Sequence, residues 1–208
     1  MLRLTKFLLL LLSLTVGSTS ADNSDLLYQK LSAFESLHAT FVQQSSQDPE
    51  IYLGELWLAK PNRFRIVTTS PWEQVLVSDG DVFWNYEADL EQLIISSLEQ
   101  DMLKFPILLF SGTAEELQQT YTINTFADEE SEVFYLKPQT DQQVFQSMTL
   151  VFTDDVPDSI VIVDAMDQIT EITFQNPGLN APLTPALFKF MAPDGVDVVD
   201  QRAVNDIH

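Results

Sequence analysis

Short runs of β-branched and aromatic residues, separated by turn-forming residues, fill most of the chain after residue 38. This pattern constrains the possible folds of the chain more than any other feature of the sequence. Such runs predict β-strands, because these side chains pack well on a pleated sheet while Gly, Pro, Asn and Asp interrupt it. The predicted strands are residues 39–44, 51–59, 64–69, 74–78, 82–86, 93–96, 121–126, 133–137, 144–152, 159–164 and 169–175, with short strands at 188–190 and 196–199. The chain is therefore predicted to be mainly β, an antiparallel meander of about ten to eleven strands.

The dipeptide Asp79-Gly80 stands between two of these runs and predicts a tight β-hairpin. A type I′ turn requires positive φ at both central residues, which Asp-Gly tolerates better than most pairs.

Two regions have helical spacing instead. Leu27, Leu31, Phe34 and His38 predict an amphipathic helix over 24–38. In the second region, 98–117, apolar residues at helical spacing are interrupted by Pro106, which predicts two short helices followed by another that Thr113 caps. An apolar sheet face and open edges cannot be left in water, so these helices are the natural covers.

The first 21 residues have the pattern of a secretory signal peptide. Arg3 and Lys6 precede an apolar run over 7–16 and then small residues through Ala21. The run is shorter than the roughly 20 residues that cross a bilayer, so cleavage is favoured over anchoring. We expect removal after Ala21, a single mature domain over 22–208, and export to the periplasm of a two-membrane bacterium.

The charge and the lack of cysteine exclude several classes of protein. The 31 Asp and Glu against 10 Lys and Arg give a net charge of −21, which disfavours nucleic acid as a partner. With 45% hydrophobic residues the chain is not disordered as a whole. Zero cysteines exclude a disulfide scaffold, a thiolate metal site and a lipidated cysteine anchor.

Catalytic motifs are missing from the sequence, so we predict that the protein is not an enzyme and needs no cofactor. The two histidines are His38, placed on the apolar face of the first predicted helix and therefore interpreted as structural, and His208 at the end. Acidic clusters at 128–130 and 154–158 lack the spacing of a calcium loop and are better explained as solvated turns. A paired-carboxylate hydrolase stays open, because nothing selects a pair among so many acids.

Four stretches of the chain together resemble a known family. Residues 54–65 read GELWLAKPNRFR, and residues 34–43, 75–86 and 188–201 carry further matching motifs in the same order. They are similar to the outer-membrane lipoprotein carrier (LolA) family, with its signature Gly-x-Leu-Trp-x-x-[Arg/Lys]-Pro-Asn-x-Phe. The resemblance covers most of residues 24–201.

The resemblance implies an incomplete, half-open antiparallel β-barrel with a lid of short helices, at about 24–38 and 98–117, over a hydrophobic cavity. Its implied function is a periplasmic chaperone that accepts lipoproteins from an inner-membrane ABC transporter, shields their acyl chains and delivers them to an outer-membrane receptor. Three acyl chains contain about 48 methylenes, which at about 0.8 kcal/mol each cost on the order of 40 kcal/mol in water. Unaided diffusion between membranes is therefore forbidden.

The resemblance also implies roles for individual residues. Lys60 matches a basic residue, usually Arg, that points into the barrel and bonds the lid, and Phe64 matches a phenylalanine that faces the cavity. In the lid, Ile107, Leu108 and Leu109 match apolar positions at the barrel mouth. By strand alternation Leu56 and Leu58 share the face of Lys60 and are further wall candidates, whereas Trp57 points to the other face.

Simpler interpretations stand beside these roles. Lys60 at a strand end can be a solvated lysine, and Phe64 can be ordinary core. The acidic surface can serve docking on basic partners or adaptation to salt. A carrier of another lipid on the same fold is the alternative function, and we expect a monomer.

Overall fold

The structure, a computed structural model, describes residues 20–98, 106–111, 113–127, 131–140 and 145–202. Of residues 20–22, 106 and 108 it describes the backbone alone. The signal peptide up to residue 19, the predicted helix before Pro106, the acidic cluster at 128–130 and His208 lie outside these ranges.

The described residues form one twelve-stranded sheet. Its strands are β1 Ser36–Ser45, β2 Tyr52–Ala59, β3 Arg63–Ser70, β4 Gln74–Asp79, β5 Val82–Glu87, β6 Gln92–Ser97, β7 Tyr121–Ala127, β8 Ser131–Pro138, β9 Phe145–Thr153, β10 Val156–Asp164, β11 Ile169–Leu179 and β12 Asp197–Asp200. The helices are α1 Ser20–Ser32, a 3-10 helix Pro106–Ser111, α2 Ala114–Thr120 and a 3-10 helix Pro185–Phe188. The prediction of a mainly β chain is confirmed, with twelve strands where about ten to eleven were expected.

The sheet order is β12-β6-β5-β4-β3-β2-β1-β11-β10-β9-β8-β7, and the sheet is open. Two antiparallel meanders, β1 to β6 and β7 to β11, are joined because β1 pairs with β11. The last strand, β12, pairs with β6 in parallel. The predicted simple meander is therefore corrected at these two pairings, while the half-open sheet under helices is confirmed.

The first helix differs from its prediction. It ends at Ser32 rather than residue 38, and His38 belongs to β1. The His38 ring stacks on Trp57 of β2 at a centroid distance of 5.1 Å, and its Nε2 lies 2.6 Å from Glu55 Oε1. The i, i+4 spacing of the apolar residues fitted a longer helix, but pairing with strands on both sides satisfies this backbone better.

Two predictions of local structure are also corrected. The Asp79-Gly80 hairpin forms, but only Gly80 of that pair has positive φ, so the turn is not type I′. Asp79 Oδ1 instead accepts the N–H groups of Asp81 and Val82, which shapes the turn through the side chain. The predicted strand at 188–190 is wrong, because Pro185 begins a 3-10 helix that buries Phe188.

The main core lies between one face of the sheet, which we call the inner face, and the helices. Leu27 and Leu31 of α1 are buried there, as are Phe110 of the first 3-10 helix and Leu117 of α2. The predicted cap is confirmed: Thr113 and Glu116 form a capping box at the start of α2. We refer to α1, the 3-10 helix Pro106–Ser111 and α2 together as the lid.

The opposite, outer face is covered near β3 to β6 by the C-terminal segment. Val77 of β4 is fully buried, and Phe188 is buried and lies under the Arg63 guanidinium at 5.6 Å from its ring centroid. Phe190 packs on Tyr86 at 5.3 Å. This part of the sheet therefore carries apolar contacts on both faces.

Candidate functional site

A cavity of about 230 Å³ opens between the inner face of the sheet and the lid. It is bounded by both meanders and by Ile107 of the lid. The lining residues are Phe41, Gln43, Tyr52, Leu56, Ile66, Thr68, Gln74, Leu76, Ile107, Ile160, Ile172 and Phe174. Most of these side chains are apolar, which is typical of a site for a hydrophobic ligand.

Strand register explains the apolar wall. Leu56 pairs with Ile66, and Ile66 pairs with Leu76, so three apolar side chains form one row across β2, β3 and β4. On the other side of β1, Ile172 pairs with Ile160. Because alternate residues share a face, each strand contributes to this wall at every second position.

A glycine makes room for one aromatic ring of the wall. A Cβ on Gly54 would lie 2.3 Å from the Val67 carbonyl oxygen and 2.5 Å from the Phe41 ring. Since real Cβ atoms do not approach that closely, Phe41 reaches its position across β2 only because residue 54 has no side chain. The Gly of the sequence motif is thus explained by packing.

One end of the cavity is polar. Gln43, Thr68 and Gln74 lie there beside Tyr52, whose hydroxyl donates to Asp48 Oδ2 at 2.8 Å. That hydrogen bond raises the pKa of the Tyr52 phenol. The cavity therefore changes from an apolar interior to a polar mouth.

Lys60 lies just after β2 and contacts the lid. Its Nζ donates to the carbonyl oxygen of Leu31 in the last turn of α1 and stands 4.4 Å from the Phe34 ring centroid. A cation is favoured there because the last carbonyls of a helix lack intrahelical partners and carry partial negative charge. Burial lowers the pKa of Lys60, and the nearby Glu35 carboxylate opposes this shift.

The turn after Lys60 contacts a second lid element, which the sequence analysis missed. The Asn62 N–H donates to Ser111 Oγ at 3.1 Å, at the end of the 3-10 helix. Asn62 has a φ of 55°, a conformation that Asn tolerates better than most residues. The Lys-Pro-Asn motif was a signal for this turn, but its partner was not visible in the sequence.

A further set of polar contacts, also missed, holds α1 to the second meander. The Lys30 ammonium forms ion pairs with Glu132 of β8 and Asp155 of the turn after β9. Asn23 Nδ2 donates to the Ile123 carbonyl oxygen of β7 at 2.8 Å. These partners are about 100 or more residues away in sequence, so no local pattern identifies them.

The structure places the predicted site residues whose side chains it describes between the sheet and the lid, but separates them into groups. Leu56 and Ile107 line the cavity. Leu58, Phe64 and Leu109 are buried in the core cluster and are absent from the described cavity lining. Lys60 is at α1 rather than in the cavity wall, and the side chain of Leu108 lies outside the described residues.

Within the described ranges, no group of three or more His, Asp or Glu side chains is arranged to hold a metal ion. Asp154 and Asp155 form a turn with positive φ at both residues. Likewise, no helix among the described residues is long and apolar enough to cross a membrane.

Comparison with known proteins gives consistent matches along the chain. Residues 32–191 match the family "Outer membrane lipoprotein carrier protein LolA". The "Outer-membrane lipoprotein carrier protein" of Alcanivorax borkumensis is 34% identical over 186 residues, 87% of this chain and 89% of that protein. The protein of the same name from Azotobacter vinelandii is 33% identical over 207 residues, 96% of this chain and 100% of the relative.

A solved structure supports the fold. A crystal structure of an uncharacterised conserved protein from Thermus thermophilus covers 88% of this chain and 100% of its own, with a TM-score of 0.57. Its sequence identity to this chain is 19%, so the likeness concerns the fold alone.

Proposed function

The chain belongs to the outer-membrane lipoprotein carrier (LolA) family, and on that premise we propose that its cavity shields the acyl chains of a lipoprotein. The observation that carries this proposal is the apolar cavity of about 230 Å³ between the inner face and the lid. An apolar ligand gains by leaving water for such a site without any covalent chemistry. The proposed activity is therefore that of a chaperone.

The lid has to move for the cargo to enter. Ligand sites for drug-sized molecules have volumes of about 300–1,000 Å³, and three acyl chains are larger than such a molecule. The cavity of about 230 Å³ is too small for them, so we take this lid position as the closed one. Ile107 lines the cavity from the lid, and displacing its helix enlarges the cavity directly.

Among the described residues, the polar contacts of the lid with the sheet come from a small number of side chains, which suits a carrier that must release its cargo. The Lys60 bond to α1 and the Asn62 bond to Ser111 both start from the same turn after β2. Breaking contacts at this single turn therefore loosens two lid elements together, and α1 keeps its contacts to the second meander through Lys30 and Asn23. A closed state favoured by only a few such contacts can be reopened by a partner that binds the open form better.

Carriers of this family are periplasmic, and we place this chain in the periplasm, exported through a signal peptide over 1–21. Removing those residues takes away Arg3 and Lys6, so the mature net charge is (10 − 2) − 31 = −23. The donor is an inner-membrane lipoprotein-releasing ABC transporter and the acceptor is an outer-membrane receptor. A strongly acidic surface speeds encounter with basic patches on such partners.

A release assay tests the proposal. Inner-membrane vesicles containing the transporter, ATP and a radiolabelled lipoprotein are incubated with the mature protein, and soluble label is measured. We expect label in a soluble complex with this chain. A folded protein that releases no label would contradict the carrier role and favour another hydrophobic ligand.

A matched pair of variants connects release to the cavity. Ile66→Trp places a large ring in the cavity, whereas Val67→Trp places the same ring on the outer face of the same strand. We expect Ile66→Trp to lower the yield of the soluble complex and Val67→Trp to leave it near the wild-type yield. Equal yields from the two variants would show that cargo does not occupy this cavity.

A further inference from the structure

A second concave surface lies at the polar mouth of the cavity. It has a volume of about 310 Å³ and lies between the turn after β3 and the turn after β5. We call it the mouth groove; it is lined by Trp72, Glu73, Gln74, Glu87, Asp89 and Leu90. A hydrogen bond from the Ala88 N–H to the Glu73 carbonyl oxygen, 3.1 Å long, joins the two turns.

The mouth groove combines exposed apolar side chains with carboxylates. Trp72 is 49% exposed and Leu90 is 65% exposed. Large apolar side chains exposed within one groove are typical of a binding surface, and aromatic residues are enriched at such surfaces. Glu73, Glu87 and Asp89 add three negative charges, which favour a cationic ligand over an anionic one.

The mouth groove adjoins the cavity. Gln74 lines both of them. Tyr52, a residue of the cavity lining, packs edge-on against Trp72 with ring centroids 6.1 Å apart. A ligand whose apolar part fills the cavity and leaves through its polar end therefore enters the mouth groove.

A chain of hydrogen-bonded polar groups runs from Gln74, which lines both sites, to Glu87 of the mouth groove. Gln74 Nε2 donates to Asn85 Oδ1 at 3.0 Å, and Asn85 Nδ2 donates to Glu87 Oε1 at 3.4 Å. Because these amides keep further donor and acceptor capacity, they can also bond the peptide groups of an extended chain. A chain that leaves the cavity at its polar end therefore meets these amide groups first and then the apolar and acidic side chains of the mouth groove.

We propose that the mouth groove binds the extended polypeptide segment that follows the acylated end of the cargo, preferring basic over acidic side chains. This inference rests on the proposed carrier function. A lipoprotein has its acyl chains at one end of the polypeptide, so filling the cavity places the next residues at the mouth. An extended chain advances about 3.3 Å per residue, so a few residues reach across the groove.

Tethering explains why an exposed groove can contribute to cargo choice. Once the acyl chains are bound, the adjoining peptide meets the groove at a high effective concentration, so weak contacts become significant. Ion pairs with exposed carboxylates are individually weak and are screened by salt. The groove therefore adjusts affinity among cargoes, while the cavity supplies most of the binding.

Synthetic lipopeptides test this proposal. The probes have the same triacylated cysteine, followed by a short lysine-rich, glutamine-rich or aspartate-rich segment, and a fourth probe is the acylated cysteine amide alone. Affinities are measured by titration calorimetry with the mature protein at about 0.05 M and about 0.5 M salt. Two groove variants are compared with the wild type. One is the triple variant Glu73→Gln/Glu87→Gln/Asp89→Asn, and the other is the single variant Trp72→Ala.

The control variant removes the same charge elsewhere on the surface. Asp154→Asn/Glu171→Gln/Asp194→Asn changes three exposed carboxylates that do not line the mouth groove. Circular dichroism checks that every variant is folded. Because the groove residues are at turns and partly exposed, their substitution leaves the core intact.

We expect the wild type to bind the lysine-rich probe about tenfold more tightly than the aspartate-rich probe at low salt. The groove triple variant should reduce that ratio to about twofold, and high salt should do the same. Trp72→Ala should weaken all three peptide probes relative to the amide probe. The control triple variant should keep the wild-type ratio.

Two results would overturn the groove while leaving the carrier function in place. One is equal wild-type affinity for the lysine-rich and aspartate-rich probes, together with tight binding of the amide probe. The other is the same change of ratio in the groove and control triple variants. If the folded wild type fails to bind the amide probe, the carrier function itself is wrong.

Discussion

Replacing Lys60 by methionine removes one polar contact between the end of β2 and α1 while keeping a long apolar stem. Two interactions are lost: the charge-assisted hydrogen bond to the Leu31 carbonyl oxygen and the ammonium contact with the Phe34 ring. A hydrogen bond to a charged group contributes about 1.5–3 kcal/mol and a cation–π contact about 0.5–1 kcal/mol. Part of this is offset, because methionine has no ammonium group to desolvate.

We therefore expect Lys60→Met to favour the open lid by about 1–2 kcal/mol, a factor of about five to thirty. Native-state hydrogen exchange measures this directly, because the amides of α1 exchange when α1 leaves the sheet. Their protection should fall by that factor while the amides of β1 and β2 keep theirs. Lys60→Arg should preserve the protection, and Lys137→Met, at an exposed lysine of β8, should not change it.

Two outcomes would refute this role for Lys60. Unchanged protection of α1 in Lys60→Met would mean that the hydrogen bond does not hold the lid. An equal loss in α1 and in the core strands would mean that the substitution destabilises the whole fold instead.

The pH dependence gives a second test of the same contact. Burial lowers the pKa of Lys60 below 10.5, so the folded state binds fewer protons than the unfolded state between the two pKa values. Stability therefore rises with pH in that interval. We expect the free energy of unfolding of the wild type to increase relative to Lys60→Met as the pH approaches 10.5, and a constant difference would contradict the burial of the ammonium group.

Three further predictions concern packing and charge. Gly54→Ala should lower the free energy of unfolding, measured in urea, by about 1–3 kcal/mol, because the new methyl group meets the backbone carbonyl oxygen of Val67. Gly178→Ala is the control and should change this free energy little; equal effects of the two substitutions would contradict the close approach at residue 54. Lys30→Gln should lower the hydrogen-exchange protection of the α1 amides by a factor of about five, because two ion pairs are lost. The difference from wild type should shrink at high salt, and a difference that stays the same at high salt would argue against ion pairing. Hydrogen bonds from the Arg202 side chain and backbone lower the pKa of Asp200 to about 2, so its stabilising contribution is present above the ordinary pKa and is lost as the pH falls toward 2. In an NMR titration Arg202→Ala should raise this pKa only part of the way to the ordinary value, because the backbone N–H of residue 202 remains; an unchanged midpoint would refute the side-chain pair.

Local sequence patterns predicted most of the strands because burial on one face imposes alternation. The row formed by Leu56, Ile66 and Leu76 follows from alternation in each strand combined with short turns. Thr113 likewise predicted the start of α2, because a capping box is contained within four residues. Where an element depends on its own residues and near neighbours, the prediction was confirmed.

Predictions failed where a distant partner decided the conformation. The helical spacing through His38 continued past Ser32, but β2 and β11 pair with those residues on either side and convert them to strand. The segment around Phe188 had the composition of a strand, yet it became a 3-10 helix lying against the outer face of the sheet. Backbone hydrogen bonding and burial at these places depend on strands more than a few residues away.

For the site, the sequence determined which side chains are available and on which face of a strand they lie. It determined that Leu56 shares a face with Leu58, that Lys60 follows the same strand, and that the chain is strongly acidic. These are consequences of covalent order and of strand periodicity, which need no knowledge of the rest of the molecule.

Only the tertiary structure decided what those side chains contact. It brought Lys60 to the end of α1, placed Lys30 between Glu132 and Asp155, and separated Leu56 in the cavity wall from Phe64 in the core. It also joined the mouth groove to the cavity through Gln74. Such contacts depend on the pairing of β1 with β11 and on the packing of the lid, which bring together residues that are remote in the chain.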